Sequence, residues 1–163
     1  MVNTDNALMS MEERGAFLTV RDNKGRVNVM TIGWGSIGYI WGRSIFTLLV
    51  RESRYTHDLL ENADDFVVSI PLDDKMRKEL GICGSKSGRD CDKFKDCNLV
   101  MKESKEVKSP AIEKCQMIYE CKIVYKHNMD LNLLDDGMKS KWYDSDDPHT
   151  IYYGEIVNCY KNE

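Results

Sequence analysis

Between Ser44 and Asn62 the chain changes its hydrophobic period abruptly. Ser44-Ile45-Phe46-Thr47-Leu48-Leu49-Val50 is a β-branched and aromatic run that suits a strand. Thr56–Asn62, with Leu59 and Leu60 on one side, suits a short helix. The junction is Arg51-Glu52-Ser53-Arg54-Tyr55-Thr56. A strand that hands over to a helix across a polar turn restricts the chain to folds in which helices interrupt a sheet. The turn also has the chemistry of an anion site. N–H groups of a first helical turn are unpaired and lie at the positive end of the helix dipole. Ser53 and Thr56 add hydroxyls, and Arg51 and Arg54 add planar donor forks that fit phosphate oxygens. The same residues also fit a plain N-cap at Ser53 flanked by solvated arginines.

The flanking segments read as strands and turns. Ala16–Val20 and Arg26–Ile32 form a hairpin about the turn Arg21–Gly25, with Val27, Val29 and Thr31 on one face and Asn28, Met30 and Ile32 on the other. Gly33-Trp34-Gly35-Ser36-Ile37-Gly38 matches G-x-G-x-x-G after a strand. Tyr39-Ile40-Trp41-Gly42-Arg43 then leads into another strand, so the βαβ context of a dinucleotide site is missing and that reading is rejected. Phe66–Ile70 is a strand closed by Pro71. Asp73–Leu80 is a short helix stopped at Gly81, and Cys83-Gly84-Ser85-Lys86-Ser87-Gly88-Arg89-Asp90 is a second glycine-bearing loop before a helix at Asp90–Lys95. A brief strand is expected at Leu99–Met101. Cys115–Lys126 alternates, which places Cys115, Met117, Tyr119, Cys121, Ile123 and Tyr125 on one face. Leu131, Leu134 and Met138 have helical spacing, Asp144–Pro148 is a loop, and Ile151–Val157 is a last strand. The expected fold is mainly β, an antiparallel, Greek-key-like barrel with short helical insertions, forming one domain over residues 1–163 with its core at about 15–157.

Composition narrows the function classes. The 163 residues carry a formal net charge of −4, so the expectation is no nucleic acid and no acidic membrane surface as partner, and any anion site must be local. No apolar run approaches the roughly 20 residues of a membrane span, and Met1–Glu13 is polar and acidic, which together read as a cytoplasmic protein. None of the six cysteines forms a C-x-x-C pair, so no metal site is expected. A ligand with a phosphate at one end and a flat polar ring at the other would use all three polar loops. Ser87, Gly88, Arg89 and Asp90 serve such a ligand or a plain turn with Asp90 as N-cap.

The run Asn28-Val29-Met30-Thr31-Ile32-Gly33-Trp34 together with Phe46–Thr56 strongly resembles the flavin reductase-like family, FMN-binding split barrels that include the flavoredoxin type. Cys83–Asp90 resembles that family's second flavin-contacting loop, and His149–Ile156 its closing strand. The resemblance runs from about Gly15 to Val157. It implies a split-barrel homodimer with FMN near the subunit interface. Ser53, Arg54, Tyr55 and Thr56 would hold the phosphate. Met30, Thr31, Ile32, Trp34 and Ser36 would lie along the ring and ribityl chain, with the Gly33 and Gly35 backbone against the ring. Ser87, Gly88, Arg89 and Asp90 would contact the far end of the flavin. Asn28, Val50, Arg51 and Cys83 belong to the same matching runs and complete the candidate cofactor-binding set, and His149 is a candidate neighbour of the flavin. Gly33 replaces a serine common among related proteins. The implied activity takes electrons from NADH or NADPH through FMN to a flavin or a protein acceptor. A flavoredoxin-like electron carrier and a non-enzymatic binder of a phosphorylated ligand are the alternatives.

Overall fold

Two strands buried on both faces decide the architecture. The computed structural model describes residues 4–162. Its main strands are β1 (Ala16–Arg21), β2 (Val27–Ile32), β3 (Gly35–Ile40), β4 (Arg43–Arg51) and β5 (Asp65–Ile70). They continue with the short β6 (Met101–Lys102) and β7 (Ala111–Ile112), then the long β8 (Met117–Asn128) and β9 (His149–Lys161). Helices are α1 (Thr4–Glu13), α2 (Tyr55–Leu60), α3 (Arg77–Ser85), α4 (Lys93–Asp96) and α5 (Asp136–Trp142). All of β5 and nearly all of β1 are buried. Phe66, Val68 and Ile70 face one apolar cluster and Val67 faces another, as the period of two requires.

Seven strands pair antiparallel in the order β2-β1-β5-β8-β9-β4-β3. The sheet curls around a main core to which β1, β2, β4, β5, β8 and β9 contribute Leu18, Met30, Leu48, Phe66, Tyr119 and Tyr152. Its two ends, β2 and the β3–β4 hairpin, approach without pairing, which leaves a split in the wall. This is the antiparallel split barrel expected from the sequence. The outer face of β1, β2, β5 and β8 carries the second cluster, where Phe17, Val29, Val67 and Ile118 lie under Leu80, Cys83 and Ile112. The β3–β4 hairpin turns through Trp41 and Gly42, both with positive φ (55° and 73°), as a two-residue turn of right-handed twist requires. Among the described residues no helix is long and apolar enough to cross a membrane.

Several local expectations need correction. The expected helix at Asp73–Leu80 begins as a 3-10 turn at Asp74–Met76. It does not stop at Gly81, because α3 runs on to Ser85. Burying Leu80 and Cys83 against the second core outweighs the helix-breaking tendency of Gly81 and Gly84. The helix expected at Asp90 starts at Lys93, with the Asp92 carboxylate accepting from the Lys95 N–H. Cys115 does not share a face with Cys121. It precedes β8 and lies in the second core, whereas Cys121 lies in the first. The short strand expected at Leu99–Met101 is β6, at Met101–Lys102. The helical spacing around Met138 becomes α5, which buries none of its residues. Helix α1 was not anticipated. Its Ala7 and Met11 join the main core, and the Ser10 hydroxyl donates to Pro71 O at 2.6 Å.

Gly154 of β9 marks where the barrel is tightest. It pairs with Phe46 and Ile123, and a Cβ there would lie 2.8 Å from Cys121 Cβ and nearer still to the Phe66 ring. Gly154→Ala should lower the unfolding free energy by about 1–3 kcal/mol, read as a lower guanidinium midpoint with an unchanged slope.

Candidate functional site

Strand β2 is an edge strand, so one side of its backbone has no strand partner. The site is built along that edge. Two hollows meet there and share Met30, Ser53 and Arg54 as walls. The larger, of about 460 Å³, lies in the split between β2 and β4. Met30, Thr31, Ile32, Gly33 and Trp34 line one side, and Leu49, Arg51, Trp142, Asp147 and His149 line the other. The smaller, of about 160 Å³, lies between the start of α2 and the turn after α3. Asn28, Tyr55, Thr56, Ser85, Lys86, Ser87, Gly88, Arg89 and Lys93 line it.

The junction turn is held from several directions. The Arg51 guanidinium donates to Asp147 O at 2.6 Å and Trp142 O at 2.7 Å and lies over the Tyr143 ring. Arg51 therefore shapes the wall of the larger hollow and has its fork engaged by carbonyls. Ser53 donates from its N–H (3.2 Å) and its hydroxyl (2.7 Å) to the two carboxylate oxygens of Asp147. An internal carboxylate thus sits on the donors that the sequence assigned to a phosphate. The Arg54 guanidinium donates to Gly84 O at 2.6 Å and borders both hollows. Helix α2 has only six residues, so its dipole is short and the side chains supply most of the positive potential.

The smaller hollow is tightly fitted. Asn28 Nδ2 donates to Thr56 Oγ1 at 2.9 Å, with both residues buried. A Cβ on Gly88 would fall 2.8 Å from Asn28 Cγ and 2.9 Å from Tyr55 Cδ1, so only glycine fits that wall. Arg89 lies over the Tyr55 ring and donates to Ser53 O at 3.1 Å and to Asp58 Oδ2 at 2.6 Å. Asp90 N donates to Ser87 O at 3.1 Å, closing the turn that the plainer reading foresaw.

The structure gathers most of the sequence-derived candidates around the two hollows. Five stand apart from them. Val50 and Cys83 are fully buried in the cores. Gly35 is pressed onto Thr47 O of the neighbouring strand. Ser36 lies further along β3 and lines neither hollow. Asp90 lines neither hollow and borders an adjoining depression that shares Asn28, Tyr55, Gly88, Arg89 and Lys93 with the smaller one. Sequence reasoning missed Leu49, Ser85, Lys86, Trp142, Asp147 and Lys93. Lys93 is the most unexpected. It is 4% exposed, and its ammonium donates to Val29 O at 3.0 Å and Cys83 O at 2.9 Å. Asp92, Lys95 and Asp96 around it are charged, so nothing local marks it as buried.

Comparison with known proteins adds to this geometry. Residues 9–163 match the flavin reductase like domain family. An uncharacterized protein of Archaeoglobus fulgidus is 30% identical over 131 residues, which are 80% of this chain and 63% of that one. The chain therefore spans a little under two thirds of that relative's length. Flavoredoxin of Desulfovibrio vulgaris (Miyazaki F) superposes with a TM-score of 0.71 at 21% identity, covering 91% of this chain and 69% of the other. An FMN-binding protein from Thermus thermophilus, solved with bound 1-cyclohex-2-enone, gives 0.70 at 22% identity over 91% and 70% of the two chains. At these identities the structural likeness speaks for the fold.

His149 closes the larger hollow from the β9 side. Its Nδ1 lies 2.7 Å from the Tyr143 hydroxyl, and its ring lies beside Trp34, which meets Trp142 edge-on. Burial, with help from the Arg51 charge, lowers its pKa to about 4. The unfolded chain takes up this proton near pH 6.5, the folded chain only near 4. The stability due to the neutral ring is thus complete above 6.5 and is lost as the pH falls towards 4, by about 3 kcal/mol. Urea unfolding across this range should show a shallower pH dependence for His149→Gln than for the wild type. Equal slopes would assign the effect to other groups.

Proposed function

The chain belongs to the flavin reductase-like domain family, and we propose that it is an FMN-binding oxidoreductase that takes electrons from a nicotinamide donor and passes them to a flavin or another acceptor. One observation carries this reading: a broad hollow with Met30, Ile32, Trp34, Leu49 and Trp142 among its walls opens into a small one rich in hydroxyls and cations. That order of shape and charge fits a planar ring joined to a phosphate. Met30, Thr31, Ile32, Gly33 and Trp34 would flank the ring, and Arg54, Ser85, Ser87 and Lys93 would face the phosphate end. Bound FMN supplies hydride and electron transfer chemistry.

The chain's own residues set the conditions for that chemistry. Arg51 and Asp147 hold the loop before β9 against the junction turn, which keeps the Trp142 and His149 wall in place. His149 is neutral at physiological pH and acts there as a hydrogen-bonding group without charge. Thr31 Oγ1 donates to Leu80 O at 2.7 Å and ties β2 to α3, fixing the floor between the hollows. The reading includes a homodimer. Trp41 in the β3–β4 turn and Tyr125 of β8 are exposed and touch each other and Tyr153 of β9, an aromatic patch suited to a second copy. It also includes a cytoplasmic setting, which the six free thiols support.

Titration with FMN should quench flavin fluorescence, and riboflavin should bind more weakly than FMN. Anaerobic mixing of the loaded protein with NADH or NADPH should bleach the flavin band. Bleaching by neither donor would favour a pure electron carrier, and failure to bind any flavin would end the reading.

A further inference from the structure

The second core holds a pair of thiols with no part in the site described above. Cys83, near the end of α3, is fully buried, and Cys97, just after α4, is 8% exposed. The Cys83 thiol donates to the Cys97 sulfur, so the two side chains meet inside one apolar cluster. Their backbones are tied through one residue. Lys93 Nζ donates to Cys83 O at 2.9 Å, and Cys97 N donates to Lys93 O at 3.0 Å. Two thiols in contact are the arrangement from which a disulfide forms with least movement of the backbone. Cys115, in the same cluster, lies against Met76 Sδ at 3.8 Å instead.

The place of the pair in the chain gives it a use. Ser85, Lys86, Ser87, Gly88, Arg89 and Lys93, all walls of the smaller hollow, lie between the two thiols. A cross-link would close residues 84–96 into a loop and restrict its freedom. The pair also has an entrance of its own. A hollow of about 360 Å³ has Met76, Glu79, Cys97 and Leu99 among its walls and shares no residue with the two hollows of the site. Cys97 is therefore the member of the pair that a small reagent reaches. Burial raises both thiols, Cys83 up to about 12, and keeps them protonated at neutral pH. The pair reacts when alkaline pH or a local opening frees a thiolate.

We propose that Cys83 and Cys97 form a reversible disulfide in response to small disulfides, and that the bond locks the loop walling the smaller hollow. The Cys97 thiolate attacks one sulfur of the reagent and expels the other as a thiolate. The Cys83 thiolate then attacks the Cys97 sulfur and expels the second half of the reagent. The protein pair is oxidised by two electrons and the reagent is reduced by two. The two protons from the protein thiols end on the two released thiols. This device does not depend on what the smaller hollow binds.

The test treats the wild-type protein with oxidised glutathione at about pH 8, alkylates the remaining thiols under denaturing conditions and maps the peptides by mass spectrometry without reduction. The expected product is a Cys83–Cys97 linked pair that dithiothreitol reverses. Amide hydrogen exchange across residues 84–92 should slow by about threefold or more on oxidation. Linkage of Cys91 to either thiol in place of this pair, glutathione adducts without a cross-link, or unmodified thiols would each overturn the proposal. So would a cross-link that leaves the exchange of the loop unchanged. Cys97→Ser should abolish the cross-link and Cys91→Ser should leave it intact, while the wild-type map relies on neither variant folding.

Discussion

The site depends on one unpaired strand edge. β2 is hydrogen-bonded to β1 on one side and to no strand on the other, so its outward carbonyls and amides need other partners. Lys93 takes the Val29 carbonyl, and the Thr31 side chain fastens the same strand to Leu80 in the middle of α3. An edge of this kind elsewhere in a protein invites aggregation and is usually covered. Here the cover is partial: α3, α4 and the turn between them lie along the edge and leave two hollows beside it. The double burial of β1 and β5 makes this possible, because helices packed on the outer face of the barrel are carried round to its edge.

The polar contacts around the junction turn are cooperative. Arg51, Ser53 and Glu52 all bond the segment 142–148, through side chain, backbone or both. Arg89 and Arg54 then bond the backbone of Ser53 and Gly84. The turn is thereby shaped by its neighbours more than by its own helix, whose six residues make a weak dipole. Basic side chains that seemed free to bind a ligand are partly employed in building the walls that would surround it.

Much of this was legible in the amino-acid order. The period-two pattern of Val27–Ile32 puts Val29 and Met30 on opposite faces of the strand, and the two lie in different cores. The aromatic and β-branched residues after Gly38 excluded a dinucleotide-binding helix, and the chain makes a β-hairpin there. What could not be read depended on distant contacts. Gly81 looked like a stop, but the helix continues because its far side packs onto the second core. Cys115 shares the parity of Cys121, but β8 begins only at Met117, so parity did not carry through. Lys93 and Asp147 sit in charged stretches that resemble solvated surface, and only the fold shows one to be buried and the other to lie on Ser53.

The tethering of segment 142–148 has a kinetic consequence. Swinging it outward would break the Arg51, Ser53 and Glu52 bonds together, so it moves as a unit or not at all. Collective displacements of that sort belong to microseconds and longer, whereas exposed side chains reorient in roughly picoseconds to nanoseconds. Trp34 and Trp142, both partly exposed and meeting edge-on above the broad hollow, are free of that restraint in their rings. Traffic through the mouth would then follow indole rotation, with the frame beneath it standing still.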